Sequence, residues 1–121
     1  MERLPVKEYE DHDCAVESCS ILTGLPYSVV HQCFRKHGRE DNSATPWDII
    51  EDVYKDLGFP LTERIEFNPA PTVNRLLREK LLPQGRWLVY ITGHVFAVVD
   101  NETSDWSRGS RYRVREAFRV Q

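Results

Sequence analysis

The chain has 121 residues, 40% apolar and 29% charged, with a formal net charge of −3 and a pI of about 5.8. These values fit one globular domain over residues 1–121 with a single modest core. No apolar run approaches the ~20 residues of a membrane span, and an acidic balance gives no general reason to expect nucleic acid. Met1–Pro5 lacks the charged-then-apolar pattern of a signal peptide, so a cytoplasmic protein is expected. Three cysteines are an odd number and do not suit a disulfide framework; all three read as reduced thiols.

Residues 1–10 are polar and lead into Asp11–Gly24, a predicted helix with Cys14 in its first turn. Ala15, Cys19 and Leu22 fall at i, i+4 and i+7, one buried face, and Gly24 is a natural stop. Asp11 or Asp13 is placed to cap the start, where backbone N–H groups lack partners. A thiol there feels the positive end of the helix dipole, which favours the thiolate. A second helix starts near Pro26 and runs on Val29, Val30, Cys33 and Phe34 to Gly38, with Cys33 read as core and with His31 and His37 on or near its polar side, where no chemistry is assigned to them. A polar loop, 39–44, precedes a third helix. Thr45 is its predicted cap, Pro46 its first residue, and Ile49, Ile50, Val53, Tyr54 and Leu57 its stripe. Trp47 reads equally as core or as cleft wall.

Leu61–Phe67 alternates as a short edge strand does, and Val73 to about Leu82 has helical spacing. From Arg86 the period becomes two. Trp87–Thr92, His94–Val99, Thr103–Ser107 and Tyr112–Val120 are predicted strands of an antiparallel sheet. Helices before sheet define an α+β class with the sheet packed on the first helix. Residues 106–121 carry five arginines against Glu116, a local balance of +4 that leaves −7 elsewhere, and read as a solvated strand face.

A cysteine on an early helix and His94 opening a late strand, next to the turn glycine Gly93, is the arrangement of a thiol–imidazole pair. Such a pair needs a group that fixes the imidazole tautomer. Asp100 lies about 20 Å from His94 along an extended strand, at roughly 3.3 Å per residue. If Asp100-Asn101 is a tight turn, Asp105 on a returning strand shares a face with His94 and becomes its diagonal neighbour. Asp105 is therefore the expected partner.

The runs D-C-A-V-E-S-C-S-I-L-T-G-L-P-Y, G-H-V-F-A-V-V-D-N and D-W-S-R resemble small papain-like cysteine peptidase-fold proteins of bacteriophages and prophages, within the papain and bacteriocin-processing peptidase clan. The resemblance covers about residues 11–117. It implies a minimal papain-like fold with Cys14 as nucleophile, His94 as base and Asp105 as orienting acid. The clan usually places an amide a few residues before the cysteine as oxyanion donor. Here that stretch is Glu8-Tyr9-Glu10-Asp11-His12-Asp13, and carboxylates cannot donate unless protonated. His12 and the Cys14 backbone N–H are the donors left, with Asp13 beside them.

Two functions compete. One is a thiol hydrolase of peptide, isopeptide or related amide bonds, with a peptide or protein substrate and no cofactor. The other is a binding protein on the same scaffold without turnover, such as a phage-encoded inhibitor of a host factor. Asp11, His12, Asp13, Cys14 and His94 include metal ligands, but no Cys-x-x-Cys or His-Glu-x-x-His occurs, and no metal is expected.

Overall fold

A computed structural model describes residues 12–120. Its elements in chain order are α1 (Cys14–Thr23), α2 (Tyr27–Lys36), α3 (Trp47–Asp56), β1 (Leu61–Glu66), α4 (Val73–Arg78), β2 (Arg86–Ile91), β3 (His94–Val99) and β4 (Val114–Val120). The four strands form one antiparallel sheet in the order β1-β4-β2-β3, which leaves β3 at an edge. The α+β class holds, with helices packed against a four-stranded antiparallel sheet. Helix and sheet are not fully segregated, because β1 precedes α4 and returns to the far edge beside β4.

Strand alternation splits the interior in two. Leu88, Val95, Ala97, Phe118 and Val120 face α1, α2 and α3. Trp87, Val89, Ile91, Phe96, Val98, Val114 and Ala117 face Val73 and Leu76 of α4 and Leu82 just beyond it. The sheet is therefore covered on both faces, which explains the continuous burial of Trp87–Val89 and Val95–Val98.

Helix α1 is buried nearly all round: Ala15, Val16, Ser18, Cys19, Ser20, Leu22 and Thr23 are inside. Its small polar residues remain satisfied by bonding backbone carbonyls. Ser18 Oγ donates to Cys14 O at 2.7 Å, Ser20 Oγ to Leu25 O and Thr23 Oγ1 to Cys19 O. At its C-terminal end Gly24 turns left-handed at φ 76°, and Arg86 donates to Leu22 O at 2.7 Å, a cation where the dipole is negative.

Several predicted details are corrected. Asp13 occupies the N-cap position but makes no cap; its carboxylate instead accepts from the buried Tyr27 hydroxyl at 2.9 Å. Asp11 and the polar leader lie outside the described residues. Thr45 does not cap α3, since its hydroxyl accepts from Arg39 Nε at 2.8 Å. Helix α4 stops at Arg78 rather than near Leu82. Thr103–Ser107 is not a strand: left-handed Asp100 and Asn101 (φ 51° and 62°) close a turn that pairs only Val99 with Glu102, and the chain then leaves the sheet.

Candidate active site

The two-residue Thr92-Gly93 turn makes His94 the first residue of β3, paired with Ile91 across the hairpin. In an antiparallel pair successive N–H groups point alternately toward and away from the partner. The N–H of Val95 is thereby released toward the free edge of β3, where it hydrogen-bonds the Cys14 sulfur. Helix α1 covers the Val95–Ala97 face, whereas His94 alternates with them, so thiol and imidazole meet around that edge.

His94 lies between two partners. Its Nε2 is 2.9 Å from Asp105 Oδ2, and the ring also hydrogen-bonds Cys14. With Nε2 engaged, Nδ1 is the nitrogen left for the sulfur. Asp105 reaches His94 from a loop, not from the expected strand. That loop is pinned from below: Thr103 Oγ1 donates to Ala97 O at 2.7 Å and accepts from Asp105 N at 3.1 Å. Ser107, fully buried, donates to Asp105 Oδ2 twice, from Oγ at 2.6 Å and from its N–H at 3.1 Å. Trp106 lies over the His94 ring, centroids 4.7 Å apart, and Phe96 stacks on it at 5.7 Å.

The electrostatics follow from this placement. Burial opposes the Cys14 thiolate, but the bonds from His94 and the Val95 N–H, the imidazolium charge and the Ala15 N–H together hold the thiol below its ordinary 9.0. Burial likewise opposes the imidazolium, yet Asp105 and the thiolate push His94 up to about 9. Burial raises Asp105, and His94 and Ser107 outweigh it to lower its carboxyl. All three shifts favour the charged row, thiolate–imidazolium–carboxylate, over its neutral counterpart. The first intrahelical bond of α1 is Glu17 N–H to Asp13 O, so the N–H groups of Cys14, Ala15 and Val16 are not used by the helix ladder.

A groove of about 1060 Å³ opens over the sulfur. His12, Asp13, Glu17, Ile21, Trp47, Ile50, Tyr90 and Glu116 are among its walls, and Trp47, resting on Phe118 with centroids 4.4 Å apart, is wall and core at once. His12 is exposed and left-handed at φ 60°. Its carbonyl accepts from buried Arg39, which also donates to Ser43 O and Thr45 Oγ1 and so fastens the approach to Cys14 onto the 39–45 loop. Sequence reasoning missed Arg39 and Ser107. Ser107 lies within the D-W-S-R run, where the sequence assigns it no role, and a lone arginine such as Arg39 in a polar stretch reads as solvated.

The other cysteines differ. Burial, reinforced by neighbouring Cys33 and only partly offset by Tyr54, pushes the Cys19 thiol up to about 12. Cys33 of α2 lies close to His37 and to Asp56 at the end of α3, a second Cys/His/Asp cluster. There the carboxylate is central: Asp56 Oδ2 is 2.9 Å from His37 Nε2, 3.6 Å from Cys33 Sγ and 3.3 Å from Lys36 Nζ. Burial and the Asp56 charge raise the Cys33 thiol, the reverse of Cys14.

No family model, curated protein or solved structure matches this chain. Among the described residues no helix is long and apolar enough to cross a membrane.

Proposed function

We propose that the protein is a papain-like thiol hydrolase in which Cys14 is the nucleophile, His94 the general base and acid, and Asp105 the group that orients the imidazole. One observation carries the reading: the His94 ring hydrogen-bonds both the Asp105 carboxylate, through Nε2, and the helix-start thiol of Cys14. The thiol proton passes to His94, and the thiolate attacks the carbonyl carbon of a peptide, isopeptide or related amide bond. The tetrahedral oxyanion faces the start of α1, where the Cys14 backbone N–H and the His12 side chain are the donors. His94 returns its proton to the leaving amine. Water, deprotonated by His94, then releases the acyl group from sulfur.

The Cys33–His37–Asp56 cluster supports the same chemistry less well. Its thiol faces the carboxylate that would repel a thiolate, and its imidazole is not interposed. A non-catalytic binding protein directed at a host factor, which would suit the chain's size and divided charge, is the second reading. The exposed Trp106–Tyr112 pair beside His94 favours it. An activated ester such as para-nitrophenyl acetate separates the two without knowledge of the substrate. The hydrolase forms an acyl adduct on Cys14, seen by intact mass, and turns it over. An acylation rate equal to that of Cys14→Ala refutes the hydrolase.

A further inference from the structure

The Cys33–His37–Asp56 cluster has a composition that a solvated acidic patch lacks. Only one of its members is an acid; the others are a thiol and an imidazole, borderline-soft ligands suited to zinc. His37 caps the C-terminal end of α2, four residues after Cys33, so its side chain follows that of Cys33 by one turn. Asp56 arrives from the end of α3, and all three ligand atoms lie within 4.8 Å of one another. In a tetrahedral zinc site with Zn–S near ~2.3 Å and Zn–N or Zn–O near ~2.0–2.2 Å, ligand atoms are roughly 3.3–3.7 Å apart. The observed 3.6 Å from sulfur to carboxylate already matches, and the 2.9 Å from imidazole to carboxylate needs a few tenths of an ångström.

We propose that Cys33, His37 and Asp56 form a Zn²⁺ site that staples the end of α2 to the end of α3, its fourth position open to water. Thiolate and carboxylate together balance the ion's two charges. The proton that Cys33 now directs at Asp56 Oδ2 leaves to solvent as the Zn–S bond forms. Lys36, exposed and 3.3 Å from the same oxygen, withdraws into water or onto the other carboxylate oxygen. The site lies apart from the groove and shares no residue with it. Its chemistry departs from the sequence-based expectation of no metal.

The test titrates the full chain with Co²⁺ as a spectroscopic stand-in, then with Zn²⁺. One Co²⁺ per chain is expected to give intense visible bands and a near-ultraviolet thiolate band, displaced by Zn²⁺. Zn²⁺ is also expected to raise Tm, reversibly with chelator. Cys33→Ser and the isosteric Asp56→Asn lose the thiolate band or weaken binding at least tenfold, whereas Cys14→Ser keeps both. Circular dichroism of each variant confirms its fold. A band that survives Cys33→Ser, a band lost in Cys14→Ser, or no saturable binding overturns the proposal. None of these outcomes bears on Cys14 alkylation, which is measured without metal.

Discussion

Asp105→Asn changes a charge and almost nothing else, since an amide oxygen accepts from His94 Nε2 and from both Ser107 donors as the carboxylate does. His94 rises from 6.5 to about 9, a gain of about 2.5 units over what burial opposes. At about 1.36 kcal/mol per unit this is on the order of 3 kcal/mol of preference for the imidazolium, shared between Asp105 and the Cys14 thiolate. Removing the Asp105 charge takes roughly half of that preference from the imidazolium, and the weaker imidazolium in turn lets the thiol rise. The window in which thiolate and imidazolium coexist narrows from both sides. The assay is the rate of iodoacetamide alkylation at the Cys14 peptide, followed by mass spectrometry from pH 5 to 10. The variant should react roughly tenfold more slowly near pH 6 and at nearly the wild-type rate near pH 10, where thiolate forms regardless. A superposable profile refutes the electrostatic role of Asp105. An equal loss at both pH values means that geometry, not charge, was removed.

Ser107→Ala deletes the 2.6 Å donor to Asp105 from a fully buried position and should cost about 1–3 kcal/mol in urea denaturation, with a smaller narrowing of the same alkylation window than Asp105→Asn. Arg39→Met leaves the His12 and Ser43 carbonyls without their donor and should lower stability by about 1–3 kcal/mol, again read by urea denaturation, while slowing Cys14 alkylation less than His94→Ala does. The pH dependence of stability follows from two opposite shifts. A raised His94 stabilises fully below 6.5 and loses that stability as pH rises through about 9, whereas a lowered Cys14 stabilises above its ordinary 9.0 and loses that as pH falls through its folded value. Between the folded value of Cys14 and about 9 the two proton counts offset, so wild-type stability should vary less with pH there than the His94 shift alone would give. Cys14→Ser keeps only the His94 proton and should lose up to about 1.4 kcal/mol per pH unit over the part of that range below its own His94 pKa.

Much of the layout was legible because it rests on local signals. Gly24 and Gly38 mark helix ends, and Thr92-Gly93 and Asp100-Asn101 mark turns. The period change at Arg86 marks the sheet. The pairing of His94 with Asp105 was anticipated for a partly wrong reason. Register arithmetic needed a returning strand, while the real path is a loop held by Thr103 and Ser107, whose bonds leave no periodic trace. Caps failed where a tertiary partner competed: Tyr27 claims Asp13, and Arg39 claims Thr45. The amphipathic reading of α1 undercounted its burial, because its serines and threonine satisfy themselves on backbone carbonyls and can face the core. Cys33, read as core, is buried as expected. Its proximity to Asp56 depends on how α2 crosses α3, which no spacing within either helix encodes.

The central claim is that His94 lowers the Cys14 thiol below its ordinary range and so activates it. It is tested most directly by comparing iodoacetamide alkylation of Cys14 at pH 6.5 in wild type and His94→Ala, with buried Cys19 as an internal reference. The account predicts selective labelling of Cys14, at least tenfold faster in the wild type than in the variant. Equal rates in the two proteins, or labelling of Cys14 no faster than of a free thiol in solution, contradict it.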